Sequence, residues 1–433
     1  MSINLKLREL EKQGRFIRVG LVGAGQMGRG MISQIQGMRG MKVVAVSDIH
    51  VDNARNAYLY AGLKAEDIIE TDQIEYAEKA VEHNKVVVTN NFHLVLAMAN
   101  VDAIVDATGI PDIGAQIAWK SILNKKHIIM LNVETDVTVG PLLNSMAKAA
   151  GVVYTGSAGD EPGAVMELYD FADALGFEVV AIGKGKNNPL NVEANPDSAS
   201  EYAKSISANP KMIASFQDGT KTMIEMTAVA NATGCVPDQP GMHGPIAKVQ
   251  DLPNLMRLKE DGGILNQTHI VEYINGIAPG VFVVVTSDKK EVHQEMEYLK
   301  MGSGPNYVLF RPYHLTSLET PLSVAKAYFN NEQTIAPRKG MIAETVAIAK
   351  KDLNPGDKLD AIGGYTVYGK IMTFGDAEAL GALPIGLVHG QVVTKAVKKG
   401  EVILMDGIEN SSDLFIWELR KLQKQSLLLG GQG

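Results

Sequence analysis

The chain of 433 residues holds a single cysteine, Cys235. One thiol cannot close a disulfide within the chain or build a cysteine-based zinc site. No histidine pair stands at metal-ligand spacing either, so no metal site is expected from spacing. Cys235 reads as a small buried residue, and the reducing cytoplasm as the expected compartment. An excess of basic residues is also missing. There are 41 Lys and Arg against 49 Asp and Glu, a formal net charge of −8, which argues against nucleic acid as a partner. No apolar run approaches the ~18 residues of a membrane-spanning helix. The opening stretch MSINLKLRELEKQGR is polar and charged and does not read as a signal peptide. Low-complexity tracts and repeats of solenoid length are absent.

What is there is ordinary for a globular protein: 45% hydrophobic and 21% charged residues. The length suggests two or three domains at roughly 150 residues each. In the first third, short apolar runs at 16–22, 41–47, 102–108, 127–131 and 152–154 alternate with helical patterns, as at 26–37. That alternation predicts an α/β fold, a doubly wound parallel sheet of the Rossmann kind over 1–156. The acidic, polar stretch 64–84 reads as an insertion. The segment 157–337 is less regular, with strands expected at 177–182 and 280–286 and helices at 162–175 and 222–232. It reads as an α+β substrate domain. From 338 to 433, turn-rich segments between short apolar runs predict a small β-rich domain followed by a terminal helix over 412–428, which frays into the final glycines.

The clearest motif is Gly23-x-Gly25-x-x-Gly28, between the first apolar run and the first helix. The first glycine allows the tight turn, the second lets the backbone approach a pyrophosphate, and the third lets helix and strand pack closely. Gln26 and Met27 begin the helix, whose N-terminus offers N–H groups to the phosphates. Asp48 closes the second run, where a carboxylate grips a ribose 2′-hydroxyl and repels a 2′-phosphate. No Lys or Arg follows it until Arg55. The loop therefore predicts NAD or NADP as cofactor, with Asp48 favouring NAD. Thr108 and Gly109 follow the 102–108 run, and Asn132 and Glu134 the next one. The first pair lies at the carboxyl edge of the sheet, where ligands bind, and the second is expected near the nicotinamide, although a turn or a helix cap would also explain each.

Candidate chemistry lies mostly in the middle of the chain. Asp160 and Glu161 stand at a helix start, either as caps or as a metal ligand or general base. Gly183-Lys184-Gly185-Lys186-Asn187-Asn188-Pro189 reads as a loop after a strand. Its lysines suit an anionic group or protonation of a carbonyl oxygen. Arg311-Pro312-Tyr313-His314 offers a guanidinium for a bidentate clamp and an imidazole for proton transfer. Lys221 and His243 are equally explained as a surface and a structural residue.

Together the stretches 19–28, 106–111, 132–137, 159–162, 183–191, 231–234, 241–245, 311–319 and 349–356 resemble the homoserine-dehydrogenase-like oxidoreductases that carry a C-terminal SAF domain. The resemblance runs over nearly the whole chain. The best-defined activity in that group belongs to the DXR-like enzymes. They convert 1-deoxy-D-xylulose 5-phosphate to 2-C-methyl-D-erythritol 4-phosphate with NADPH, in isoprenoid biosynthesis. The resemblance thus implies a carbon–carbon rearrangement followed by hydride transfer, on a small phosphorylated carbonyl or polyol. It implies cationic anchors, for which Lys184, Lys186 and Arg311 are available. It also implies a divalent metal on carboxylates, for which Asp160 and Glu161 are candidates. Asp48 departs from an NADPH pattern. Homoserine dehydrogenase proper and a non-catalytic dinucleotide sensor are the alternative readings. A homo-oligomer, dimer or tetramer, is expected through the C-terminal part.

Overall fold

The computed structural model describes residues 1–206, 208–409 and 413–430, without the side chains of the last four. The first third builds one sheet from β1 (Ile17–Val22), β2 (Met41–Ser47), β3 (Ile68–Glu70), β4 (Val86–Thr89), β5 (Ala103–Asp106), β6 (His127–Met130) and β7 (Tyr154–Gly156). Their order is β3-β4-β2-β1-β5-β6-β7, and every pairing is parallel. The central strands are covered on both faces, so they read as continuous Val and Ile runs rather than as an alternation. The chain fills the sheet outward from β1 in both directions, first through β2 on one flank and later through β5 on the other. Ligands of such sheets bind at that switch point, beyond the carboxyl ends of the strands. The expected doubly wound α/β class is what the chain forms.

The stretch 64–84 is not an insertion. It supplies β3 and the helix Ile74–Glu82, and β3 with β4 extends the sheet to its edge. Three residues are too few to show a strand period, and for that reason the sequence hid it.

The chain divides into two compact units. One comprises Met1–Asp160, Leu315–Ala336 and Leu414–Gly433, the other Glu161–His314 and Pro337–Asp413. Within the first unit the terminal helix Phe415–Gly430 packs on the helices Pro111–Leu123 and Val133–Ala150. The Phe415 ring meets Trp119 edge-on at 5.7 Å. Helix Val133–Ala150 contains Pro141, which has no N–H to give its own turn. Beside it the buried Gln423 accepts from Leu142 N–H at 3.0 Å and donates to the Thr138 carbonyl at 3.2 Å. The expected helix start at 412 and the final residues 431–433 lie outside the described residues.

The second unit is built on a mixed sheet of β8 (Glu178–Lys186), β9 (Val236–Pro237), β10 (Ile270–Asn275), β11 (Val281–Thr286) and β12 (Tyr307–Arg311). The order is β12-β11-β8-β10-β9, with β8 in the middle. The helices Glu161–Ala174 and Thr220–Thr233 pack on it. Helix Thr220–Thr233 is buried all round. It also carries the antiparallel pair β13 (Ala343–Ala349) and β14 (Val367–Thr373). Thr227 and Thr345 share a hydroxyl hydrogen bond of 2.7 Å, and Asn231 Oδ1 accepts from the N–H groups of Ile342 and Ala343. A last short pair, β15 (Val392–Val393) and β16 (Ile408–Glu409), completes the unit. Segment 338–433 holds β13 to β16 and the terminal helix. Its strands belong to the second unit, and its terminal helix belongs to the first.

Candidate functional site

In the first unit, β1 runs into the glycine loop, and the helix Gln26–Gln36 starts directly after it. Gly23 has φ +99, and a Cβ there would stand 2.7 Å from the Ala107 carbonyl oxygen. A Cβ on Gly28 would stand 2.1 Å from the Gly23 carbonyl oxygen. Both positions therefore need glycine for the fold alone. Gly25 differs. It caps the helix at φ −67, and a Cβ there would meet nothing within 4 Å. The open space beside Gly25, with Gln26 exposed and Met27 half-buried at the helix start, is what close approach of a pyrophosphate requires.

Asp48 follows β2 and is tied to this loop. One carboxylate oxygen accepts from Ala24 N–H at 2.8 Å. The other accepts from His50 N–H at 2.9 Å and Asn53 Nδ2 at 3.2 Å. Arg55, the first base after it, is paired with Glu70 at 2.8 Å. Thr108, Asn132 and Asp106 form one network. Thr108 donates to Asp106 through its N–H and its hydroxyl, and Asn132 Nδ2 donates to Asp106 at 3.0 Å. Asn132 is fully buried and caps the helix Val133–Ala150 through Thr135 N–H. Burial pushes the Asp106 carboxyl up to about 6 against the pull of its Thr108 hydrogen bonds. Gly109 takes a left-handed φ of +64, and Glu134 is buried in the first turn after the cap. The helix-cap reading of Asn132 is the one its geometry displays.

The second unit holds the chemistry-bearing cluster, and here the structure corrects the sequence reading. Lys184 and Lys186 are not in a loop. β8 runs through both, and both are buried. Gly183 and Gly185 permit this. A Cβ on Gly183 would stand 1.8 Å from the Glu272 carbonyl oxygen, and one on Gly185 2.4 Å from Ala278 N. Glycines that signalled a turn are instead places where neighbouring backbone crowds the strand. Side chains two apart on a strand share a face, so both lysines point to the side of the helices Glu161–Ala174 and Thr220–Thr233.

Lys184 Nζ is held between two carboxylates, Glu161 at 2.6 Å and the fully buried Glu225. His314 Nε2 lies 3.4 Å from the same Glu161 oxygen. Burial alone would raise the Glu161 carboxyl, but the Lys184 ammonium and then His314 outweigh it and hold it at about 2. Burial, and then the charge of Glu161, push Glu225 up. Burial works to neutralise Lys184, yet the two carboxylates prevail and keep it protonated. Lys186 has a different setting. Its ammonium donates to the Phe216 carbonyl at 2.6 Å. Burial, and then the nearby charge of Lys184, lower it to about 8. Glu161 and Glu225 offer the hard oxygens a divalent cation takes, and the single Lys184 ammonium bonds both of them. Asp160 is half-buried and immediately precedes Glu161.

The remaining candidates are placed as follows. Arg311 ends β12, bonded to Glu167 at 2.9 Å and stacked 4.7 Å over the Tyr313 ring. His243 binds the buried Glu272 through Nδ1 at 2.8 Å, with Asp238 3.4 Å from Nε2. Cys235 is buried, and that burial lifts its thiol to about 11, far from a reactive thiolate. Sequence reasoning missed Glu225. Its signal was a lone acid in a helix of small and apolar residues, TKTMIEMTAVANAT. It also missed Asp218, which pairs with Lys350 at 2.7 Å across a sequence distance no local pattern reveals.

Residues 159–320 match the catalytic domain of oxidoreductase DRL. The matched stretch contains Glu161, Lys184, Lys186, Glu225, Arg311 and His314, and it supports the reading of this chain as an oxidoreductase. No curated protein matches the sequence. Among solved structures, a probable dehydrogenase from Thermotoga maritima is similar at 12% identity and a TM-score of 0.41, over 75% of this chain and 92% of that one. The myo-inositol dehydrogenase of Lactobacillus casei, solved with NAD(H) and myo-inositol, is similar at 18% identity and a TM-score of 0.29. That likeness covers 43% of this chain and 50% of the other. Likeness at these levels says nothing of a substrate. Among the described residues no helix is long and apolar enough to cross a membrane.

Proposed function

We propose that the chain is a nicotinamide-dinucleotide-dependent oxidoreductase acting on a small, polar, phosphorylated carbonyl or polyol. The observation that carries it is the glycine loop at the switch point of a doubly wound sheet, open at Gly25 and backed by Asp48. Gly23, Gly25, Gln26, Met27 and Gly28 would hold the pyrophosphate, with Asp48 at the adenine-side ribose. Thr108, Gly109, Asn132 and Glu134 shape the carboxyl end of the neighbouring strands. The bound nicotinamide would give or take a hydride. The chain's part is to orient the substrate and to move a proton, and the buried cluster in the second unit suits that part. Lys184 and its carboxylates are paired and largely removed from solvent, where fixed charges act more strongly than in water. Arg311 is the anchor proposed for the phosphate, exchanging its bond to Glu167 for the ligand.

The cofactor preference we infer is NAD. Asp48 sets a carboxylate where a 2′-phosphate would stand, and Arg55 is held by Glu70 rather than turned toward that position. The finer reading is the reductoisomerase chemistry of the DXR-like enzymes, supported by the sequence resemblance. A direct assay separates the possibilities. NADH and NADPH consumption is followed with 1-deoxy-D-xylulose 5-phosphate, and NAD(P) reduction with homoserine, each with and without a divalent metal. Consumption with the sugar phosphate supports the finer reading. Turnover with homoserine alone replaces it with homoserine dehydrogenase. Dinucleotide binding without turnover on either probe leaves the sensor reading.

A further inference from the structure

We propose that the two lysines of β8 divide the work: Lys184 is the fixed cation of the site, and Lys186 is the residue that exchanges a proton with the substrate oxygen. This rests on the oxidoreductase reading above. The geometry separates two side chains of the same type, two residues apart on one face. Lys184 is bracketed by Glu161 and Glu225; Lys184 and Glu225 are buried and Glu161 is half-buried. Loss of its proton would leave the buried Glu225 and the half-buried Glu161 carboxylates without the cation between them, so its charged form is strongly held. Among the described residues Lys186 makes no ion pair, although the charges of Asp218 and Glu225 act on it from further off. Among the described residues its one hydrogen bond is to the Phe216 carbonyl, which tolerates both the ammonium and the amine as donors. The charged groups around it come from several elements. Lys184 stands beside it on β8, and Glu161 with His314 lies beyond Lys184. Glu225 and Lys221 are on the helix Thr220–Thr233. Asp218, just before that helix, is committed to Lys350 at 2.7 Å. The positive neighbour and the burial bring Lys186 to about 8, where a general acid works best near neutral pH.

The step balances as follows. In reduction the carbonyl π bond breaks as its carbon accepts a hydride from the reduced dinucleotide, which is oxidised. The oxygen takes a proton from Lys186 Nζ, forming O–H and leaving a neutral amine that water reprotonates. In oxidation the amine takes the hydroxyl proton as the hydride leaves. Reduction should therefore weaken above about pH 8, and oxidation should strengthen through the same range.

Two measurements test this. In the full-length protein labelled with 15N-lysine, the Nζ signal lost in Lys186→Arg should titrate near pH 8, while the signal assigned to Lys184 should keep its proton throughout. The reverse pattern overturns the assignment. With 1-deoxy-D-xylulose 5-phosphate and NADH as probes, Lys186→Ala should lower kcat by about 100-fold or more and change KM far less. Added alkylamines should restore part of the rate, and Lys186→Arg should not. NADH binding, measured by fluorescence, should persist in both variants and so report a folded protein. Unchanged kcat in Lys186→Ala refutes the role of Lys186 alone. Absence of turnover in the native protein with this probe, with Lys186 still titrating near 8, overturns the sugar-phosphate reading and leaves the division between the two lysines to be decided by the labelled-lysine measurement.

Discussion

Gly25→Ala and Gly28→Ala offer a matched pair of perturbations three residues apart. Gly25 has an ordinary φ of −67 and empty space where a Cβ would stand. An added methyl there removes unfolded-chain entropy, worth about 0.4–1 kcal/mol in favour of the fold. It also loses the preference of a helix cap for glycine over alanine, about 0.5–1 kcal/mol the other way. The two nearly cancel, so Gly25→Ala should melt within a few degrees of the native protein. The same methyl fills the space proposed for the pyrophosphate, so NADH affinity should fall by at least about tenfold, or 1.4 kcal/mol. Gly28→Ala places a carbon 2.1 Å from the Gly23 carbonyl oxygen, an overlap that backbone must relieve at about 1–3 kcal/mol or more. It should lower the melting temperature whether or not a dinucleotide is present. Thermal unfolding and fluorescence titration with NADH read both effects. Native-like NADH affinity in Gly25→Ala would refute the placement of the cofactor at this loop.

Other outcomes follow from the same geometry. Lys184→Met leaves Glu161 and Glu225 facing each other in a buried site and should destabilise by about 3–5 kcal/mol. Adding Glu225→Gln should return part of that loss, and denaturant unfolding checks both. Gln423→Leu removes the donor and acceptor beside Pro141 and should cost about 1–3 kcal/mol, read as a lower urea midpoint at unchanged slope. NADH should bind at least about tenfold more tightly than NADPH. Asp48→Ser should narrow that gap, and tighter binding of NADPH by the native protein would refute the reading of Asp48.

Local sequence determined the first unit well. A parallel sheet buried on both faces writes its strands as apolar runs, and β1, β2, β5 and β6 were visible for that reason. The glycine loop was legible because each of its three positions meets a separate local demand, of turn, approach and packing. Edge strand β3 was not, since a three-residue strand has no period to show. In the second unit, glycine misled. Gly183 and Gly185 look like a turn in sequence, and only the neighbouring backbones at Glu272 and Ala278 reveal that they keep a strand narrow. The charged cluster was half visible. Lys184, Glu161 and His314 stood out as residue types in polar stretches, whereas Glu225 lay unmarked inside a buried helix. What distinguishes Lys184 from Lys186 is which carboxylates surround each one. That is a property of three elements brought together, and burial sets its strength. The sequence by itself therefore determined a Rossmann-type parallel sheet with its glycine loop and two candidate lysines. Only tertiary structure decided that one lysine is locked between carboxylates while the other is bonded to a backbone carbonyl.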